Sequence, residues 1–271
     1  MSAMRERPRL VAFDLDGTAV RDGTVPASLV ARLAGYVQSG GLVSTASGRN
    51  FRTQEQILAQ SGITFEAGFP HFMVCSDKFV FRLGRGGYVE MADWNESIRC
   101  RWRRMLPQII DRLPRVCSAL NERNLPHASI EKREAWEAHG FVPLEFEDVT
   151  SASAAMAVME QAIEGIDGAA INRAANFCAV TLADAGKGEA LRRIAAELDI
   201  TPREVLAIGD SYNDISMLDG RFGFRSAAVG DAEEMIQRAV RDNGGYVARG
   251  AGADGLAEIM DGVLGEDAPS R

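Results

Sequence analysis

The chain lacks the features that would mark a membrane protein, a nucleic-acid binder or a disulfide scaffold. No apolar run approaches the roughly eighteen residues of a membrane span. The polar opening from Met1 to Arg9, interrupted by Pro8, has no leader-like apolar stretch. Basic residues are outnumbered, giving a formal net charge of -8, which argues against a generic nucleic-acid or anionic-membrane partner. A small anionic substrate stays compatible, because a bound cation inverts the local field. Only four cysteines occur, Cys75, Cys100, Cys117 and Cys178, and none forms a Cys-x-x-Cys pair. Their dispersion speaks against a structural zinc site and for thiols in a reducing compartment. Internal repeats and low-complexity tracts are also missing. These absences lead us to expect a soluble, unsecreted, cytoplasmic protein.

What is present is ample apolar material, 46% of 271 residues, enough for one large domain or two modest ones. The run Leu10-Val11-Ala12-Phe13 reads as a buried strand. After Pro26, the residues Leu29, Val30, Leu33, Ala34 and Val37 form a helical stripe that ends at Gly40-Gly41. A second strand, Leu42 to Ala46, leads into a helix from about Arg52 to Ser61. The last third repeats the alternation: helix Gly188 to Leu198, strand Val205 to Ile208, helix near Asp214 to Leu218, strand Ala227 to Val229, helix Ala232 to Val240 and a helix from about Leu256 to Leu264. This order predicts an α/β fold, a Rossmann-like parallel-sheet core with helices on both faces.

Between these blocks, bounded by the glycine-rich segments Leu83 to Gly87 and Ala183 to Gly186, lies a sequence of different character. It holds Trp94, Trp102 and Trp136, and predicts helices over about Trp94 to Leu113 and Ala152 to Glu164 with short strands near Ile130 and over Phe177 to Leu182. We expect a core domain of residues 1–83 and 184–271, with an inserted α+β cap of residues 84–183.

Ligands of open parallel sheets bind beyond the carboxyl ends of the strands, and four polar groups fall there. Asp14 and Asp16 follow the first strand in Asp14-Leu15-Asp16-Gly17-Thr18. Ser47 and Gly48 follow the second, where a hydroxyl and free N–H groups suit a phosphate oxygen; a helix N-cap serine is the competing structural reading. Lys187, flanked by Gly186 and Gly188, sits at a helix start, where a cation works against the helix dipole. Asp210, Asn213 and Asp214 follow the strand Val205 to Ile208. Gathering Asp14, Asp16, Asp210 and Asp214 would drive some to protonate unless a cation offset their charge, and such oxygen ligands suit Mg²⁺.

With these four pieces on one chain, the sequence resembles the haloacid dehalogenase superfamily of phosphohydrolases, in the branch with a large α/β cap. Asp14 to Val20 matches the first motif, Ser47 the second, Lys187 the third and Gly209-Asp210-Ser211-x-Asn213-Asp214 the fourth. The resemblance implies Asp14 as nucleophile, forming an aspartyl-phosphate, and Asp16 as general acid and base. It implies Mg²⁺ held by Asp14, the Asp16 backbone carbonyl and Asp210, with Asp214 in support, and Ser47, Gly48, Lys187 and Asn213 about the phosphoryl group. The expected partner is a small phosphate ester, with no nucleic acid and no membrane, and the oligomeric state is left open. Two departures stand out. Where relatives often carry an Asn-Gly-Ala-type turn after the third core strand, this chain has Cys75-Ser76-Asp77. In the cap, Ile130-Glu131-Lys132-Arg133 followed by His139 is similar to a segment of trehalose- and sucrose-phosphate phosphatases, though out of register by about one residue, and hints at sugar phosphates.

The leading expectation is therefore a Mg²⁺-dependent phosphomonoesterase acting on a sugar-like ester. The alternatives are a phosphomutase of the capped phosphomannomutase type and a phosphate-ester binding protein without turnover. Gly250-Ala251-Gly252-Ala253-Asp254-Gly255 fits a dinucleotide fingerprint on paper, but no room follows it for a βαβ unit, so it reads as a turn into the last helix. The run Arg99, Arg101, Arg103 and Arg104 reads as a solvated helix face.

Overall fold

The computed structural model describes residues 7–129 and 132–265. In chain order the elements are β1 (Leu10–Phe13), α1 (Ala27–Gln38), β2 (Leu42–Ala46), α2 (Phe51–Gln60), β3 (Phe72–Cys75), β4 (Phe79–Gly84), β5 (Gly87–Glu90), α3 (Ala92–Glu122), β6 (His127–Ser129), α4 (Arg133–His139), β7 (Phe141–Phe146), α5 (Val149–Ala162), β8 (Ala169–Ala174), β9 (Phe177–Leu182), α6 (Lys187–Glu197), β10 (Val205–Gly209), α7 (Ile215–Leu218), β11 (Arg225–Ala228), α8 (Glu234–Asp242), β12 (Tyr246–Val247) and α9 (Gly252–Gly265). They divide into two compact units, residues up to Met91 with Lys187 onward, and Ala92–Gly186.

The first unit is built on one sheet in the order β12-β11-β10-β1-β2-β3-β4-β5. From β12 to β3 all pairs are parallel, as the alternating pattern predicts. Beyond β3 the sheet continues with the antiparallel strands β4 and β5, so it is mixed. This extension explains why the division falls at Ala92 instead of residue 84: the segment through Glu90 pairs on the sheet edge, with Phe81 opposite Glu90. Along β1, β2, β3 and β10 alternate side chains, among them Val11, Phe13, Val43, Met73 and Ile208, join Leu29, Leu33 and Tyr36 of α1 and Leu256, Ile259 and Met260 of α9 in one buried cluster. Helices α6 and α7 contribute nothing to that cluster. They pack on β3, β4, β10 and β11 instead, and burial on both faces accounts for the near-continuous apolar strands.

The second unit pairs α3, α4 and α5 with an antiparallel sheet in the order β6-β7-β9-β8. Helix α3 runs past Pro107 and Pro114 to Glu122, further than the expected Leu113. The apolar stripe continues through the buried Val116 and Leu120, and that burial outweighs the donors lost at proline. Trp102 is the one fully buried tryptophan, with Nε1 donating to the Trp136 carbonyl at 2.7 Å; Trp94 and Trp136 are half-buried. Arg103 donates to Glu96 at 3.0 Å and Arg101 is paired with Asp184, so these members of the arginine run are committed to nearby acids. Ile130 and Glu131 lie outside the described residues. All four cysteines are free, and among the described residues no helix is long and apolar enough to cross a membrane.

Candidate active site

Parallel register brings the carboxyl ends of β10, β1, β2 and β3 side by side: Phe13 stands opposite Ile208 and Thr45, and Ala46 opposite Val74. The strand order reverses between β1 and β10, the place where doubly wound sheets open a crevice. The residues that leave these four ends build the site.

Asp14, directly after β1, is buried at 4% exposure and accepts from Lys187 Nζ at 2.9 Å through Oδ1. Lys187, the first residue of α6, is wholly buried and donates also to Asp214 Oδ1 at 2.6 Å. Burial by itself would lower the lysine's pKa, yet Asp14, Asp214 and Asp77 more than offset this and hold it above its usual range. Asp214 is fully committed: its Oδ2 accepts the N–H groups of Asp210 and Ser211 at 2.9 and 3.1 Å. It thus ties the turn after β10 to the lysine. A side chain on Gly209 would meet the Asp214 carboxylate at 2.5 Å, so this close approach requires glycine.

Asp210 accepts from Thr18 Oγ1 at 2.7 Å. Gly17, at φ +77, presses on it so closely that a Cβ would stand 2.3 Å from Asp210 Oδ2. Asp14, Asp210 and Asp214 offer oxygens all within 4.8 Å of one another. Burial, reinforced by Asp214, pushes Asp210 up to about 7; burial first, then the charges of Asp214 and Asp210, raises Asp14 well above the carboxylate range despite Lys187. With one ammonium among three carboxylates, and with Oδ2 of Asp14 and Oδ2 of Asp210 accepting no hydrogen bond among the described residues, the donor set fits a hard divalent cation such as Mg²⁺. Asp16 lies apart from that set. Its carboxylate is gripped by Arg49, Nε to Oδ2 at 2.6 Å and Nη2 to Oδ1 at 2.8 Å, toward solvent.

Ser47 follows β2, buried, and its Oγ accepts from the Arg49 N–H at 3.2 Å. It is not the helix cap: α2 begins at Phe51, and Asn50 accepts from Thr53 N–H. The loop of Ser47, Gly48 and Arg49 is pinned from below by the buried Gln54, whose amide donates to the Arg49 and Val74 carbonyls. Asn213 accepts from Ser211 Oγ at 2.6 Å and donates Nδ2 to Asp77 Oδ1 at 3.2 Å. Asp77, placed between β3 and β4, was not among the residues expected here, nor were Arg49, Gln54 and Thr18 as partners. Asp77 and Ser76 both carry positive φ, 63° and 49°, a backbone that costs a non-glycine residue about 1 kcal/mol. Such strain tends to collect at functional sites.

The sequence of residues 121–260, just over half of the chain, matches a family model described as haloacid dehalogenase-like hydrolase. The chain belongs to that family. Within it, the chain is 48% identical over 80 residues to a phosphoglycolate phosphatase of Aeropyrum pernix and 45% identical over 75 residues to one of Methanothrix thermoacetophila. These matches cover 30% and 28% of the chain and span only 29% and 31% of the two relatives. The fold is that of the sucrose-phosphatase of Synechocystis sp. PCC6803, solved in complex with sucrose and phosphate, at a TM-score of 0.68 and 17% identity over 98% of this chain and 100% of that one. The decoy Gly250 to Gly255 is, as its position in the sequence suggests, a turn into α9: Glu258 accepts the N–H groups of Arg249 and Gly250.

Proposed function

We propose that this haloacid dehalogenase-like hydrolase is a Mg²⁺-dependent phosphomonoesterase acting on a small, sugar-like phosphate ester. The observation that carries this reading is the Asp14 carboxylate, oriented through Oδ1 by the buried Lys187 at the β1 end and standing beside the Asp210 and Asp214 oxygens. The phosphatases matched over part of their length, and the fold shared with a sucrose-phosphatase, support it. The four unpaired thiols support a cytoplasmic location.

In this reading Asp14 attacks phosphorus, the new O–P bond forming as the ester O–P bond breaks. The departing alkoxide takes a proton from Asp16, once Arg49 releases one of its oxygens. Water then attacks the aspartyl-phosphate, giving its proton to Asp16; the Asp14 O–P bond breaks and inorganic phosphate leaves. Ser47, the Gly48 N–H, Lys187 and Asn213 hold the phosphoryl oxygens, and Lys187 counters the charge that shifts onto them. Asp14 and Asp210, with Asp214 behind them and the Asp16 carbonyl, would hold Mg²⁺, whose chemistry there is charge neutralisation at the phosphoryl oxygens. We assign the choice of substrate to the inserted unit.

The test is phosphate release with Mg²⁺ across sugar phosphates, phosphoglycolate, nucleotides and cofactor phosphates. We expect turnover of a small ester and none by Asp14→Asn. Interconversion of sugar-phosphate isomers without net release would replace the hydrolase with a mutase, and binding without any turnover would reduce the protein to a phosphate-ester binder.

A further inference from the structure

The hairpin between β3 and β4 closes with the Lys78 N–H donating to the Cys75 carbonyl at 3.0 Å. Its residues Ser76 and Asp77 adopt φ values that such turns assign to asparagine and glycine. Glycine at 77 would suit the backbone better, yet a carboxylate is present, and it is buried at 8% exposure. Its surroundings explain why. The turn's own amides bind the neighbouring loop, Ser76 N–H to the Arg49 carbonyl at 2.9 Å and Asp77 N–H to the Ser47 carbonyl at 3.0 Å. Both carboxylate oxygens stand 3.6 Å from where a Cβ on Gly48 would be. Oδ1 accepts from Asn213 Nδ2 and lies 3.8 Å from Lys187 Nζ.

A negative group beside an anion-holding loop would repel a phosphate unless its charge were committed to donors. Here it is committed to two of the donors that the phosphomonoesterase reading assigns to the phosphoryl group. We propose that Asp77 is a positioning residue for that group, tethering the Asn213 amide and the Lys187 ammonium around Gly48 before an ester arrives; the proposal rests on the reading above. A preset cradle binds without the cost of ordering its side chains.

Two variants of the full chain separate this role from a purely structural one. Asp77→Asn keeps an acceptor for Asn213 and drops the charge facing Lys187, whereas Asp77→Gly drops both and fits the positive φ. The readouts are KM and kcat for the ester that the wild type hydrolyses, and calorimetric binding of inorganic phosphate. We expect KM and the phosphate dissociation constant to rise together, about threefold for Asp77→Asn and about tenfold or more for Asp77→Gly, with kcat changed less than KM. Unchanged phosphate binding in Asp77→Gly, or a fall in kcat alone, overturns the proposal even if the melting temperature moves. Phosphate binding does not depend on turnover. A wild type that hydrolyses no ester therefore defeats the phosphomonoesterase reading, while the Asp77 assignment is still decided by the calorimetry.

Discussion

Lys187 Nζ donates to Asp14 Oδ1 at 2.9 Å, joining residues 173 positions apart in a buried contact. The same ammonium holds Asp214 at 2.6 Å, so one cation satisfies two buried acids. Removing one partner of a buried ion pair costs more than the pair contributes, because the survivor stays buried and uncompensated. Lys187→Met should therefore lower unfolding free energy by about 3 kcal/mol or more as well as stop turnover. Urea unfolding measures it; an unchanged midpoint would show that Asp14 and Asp214 are not charged together in the folded chain.

Arg49 and Asp16 make the opposite case. Their pair is bidentate but its side chains are 40% and 48% exposed, so its stability contribution should stay below about 1 kcal/mol. Its effect falls on the orientation of the Asp16 carboxylate. On the proposed role of Asp16 as proton carrier, Arg49→Gln is expected to leave the melting temperature within a degree or two while lowering kcat about tenfold. A variant that melts early yet turns over normally would mean that Arg49 serves the fold alone.

The strand ends that carry Asp14, Ser47 and Asp210 were legible because apolar runs of β1, β2 and β10 stop at polar residues, and a parallel sheet lines up such stops. Lys187 betrayed itself by standing at a helix start, where a cation is electrostatically misplaced. Asp77 was noticed as a departure from the family turn but not as a member of the site. Its role depends on β3 lying beside β2, and a three-dimensional neighbour relation leaves no local pattern. Arg49 escaped for a related reason, since the bidentate geometry with Asp16 arises only when the β1 and β2 ends meet. In the inserted unit, β7 and β8 were missed: Phe141–Phe146 is interrupted by Pro143, which reads as a strand breaker, and Ala169–Ala174 is alanine-rich and weak in β-propensity.

Lys78 supplies a pH dependence outside the carboxylate cluster. It is buried at 1% exposure, and burial, partly countered by Asp77, pushes its ammonium down from 10.5 to about 8. Between those values the unfolded chain carries a proton that the folded chain does not, so stability from this group rises with pH through that window. Below about pH 8 both states are charged and the burial penalty is complete; above 10.5 both are neutral and it vanishes. Lys78→Met removes the titration. Its stability relative to wild type should fall by about 3 kcal/mol between pH 7 and pH 10.5 and change little beyond. A difference independent of pH would show that Lys78 stays protonated in the fold throughout.

Asp210 offers a readout of cation binding that needs no substrate. Its carboxylate stands within 4.8 Å of Asp14 and Asp214 oxygens and is pushed up to about 7, first by burial and then by Asp214, so the ionised cluster works against folding until a cation offsets it. Mg²⁺ should therefore raise the wild-type melting temperature, with a stabilisation of about 2.7 kcal/mol when its concentration reaches about a hundred times its dissociation constant. Asp210→Asn removes one charge and one oxygen ligand. At pH 8 without Mg²⁺ that variant should melt above the wild type, because like-charge repulsion is relieved, and it should no longer respond to Mg²⁺. An equal response in both proteins would place the cation elsewhere. A wild type that does not respond while Asp210→Asn is stabilised would leave the repulsion real and the cation unnecessary to the fold.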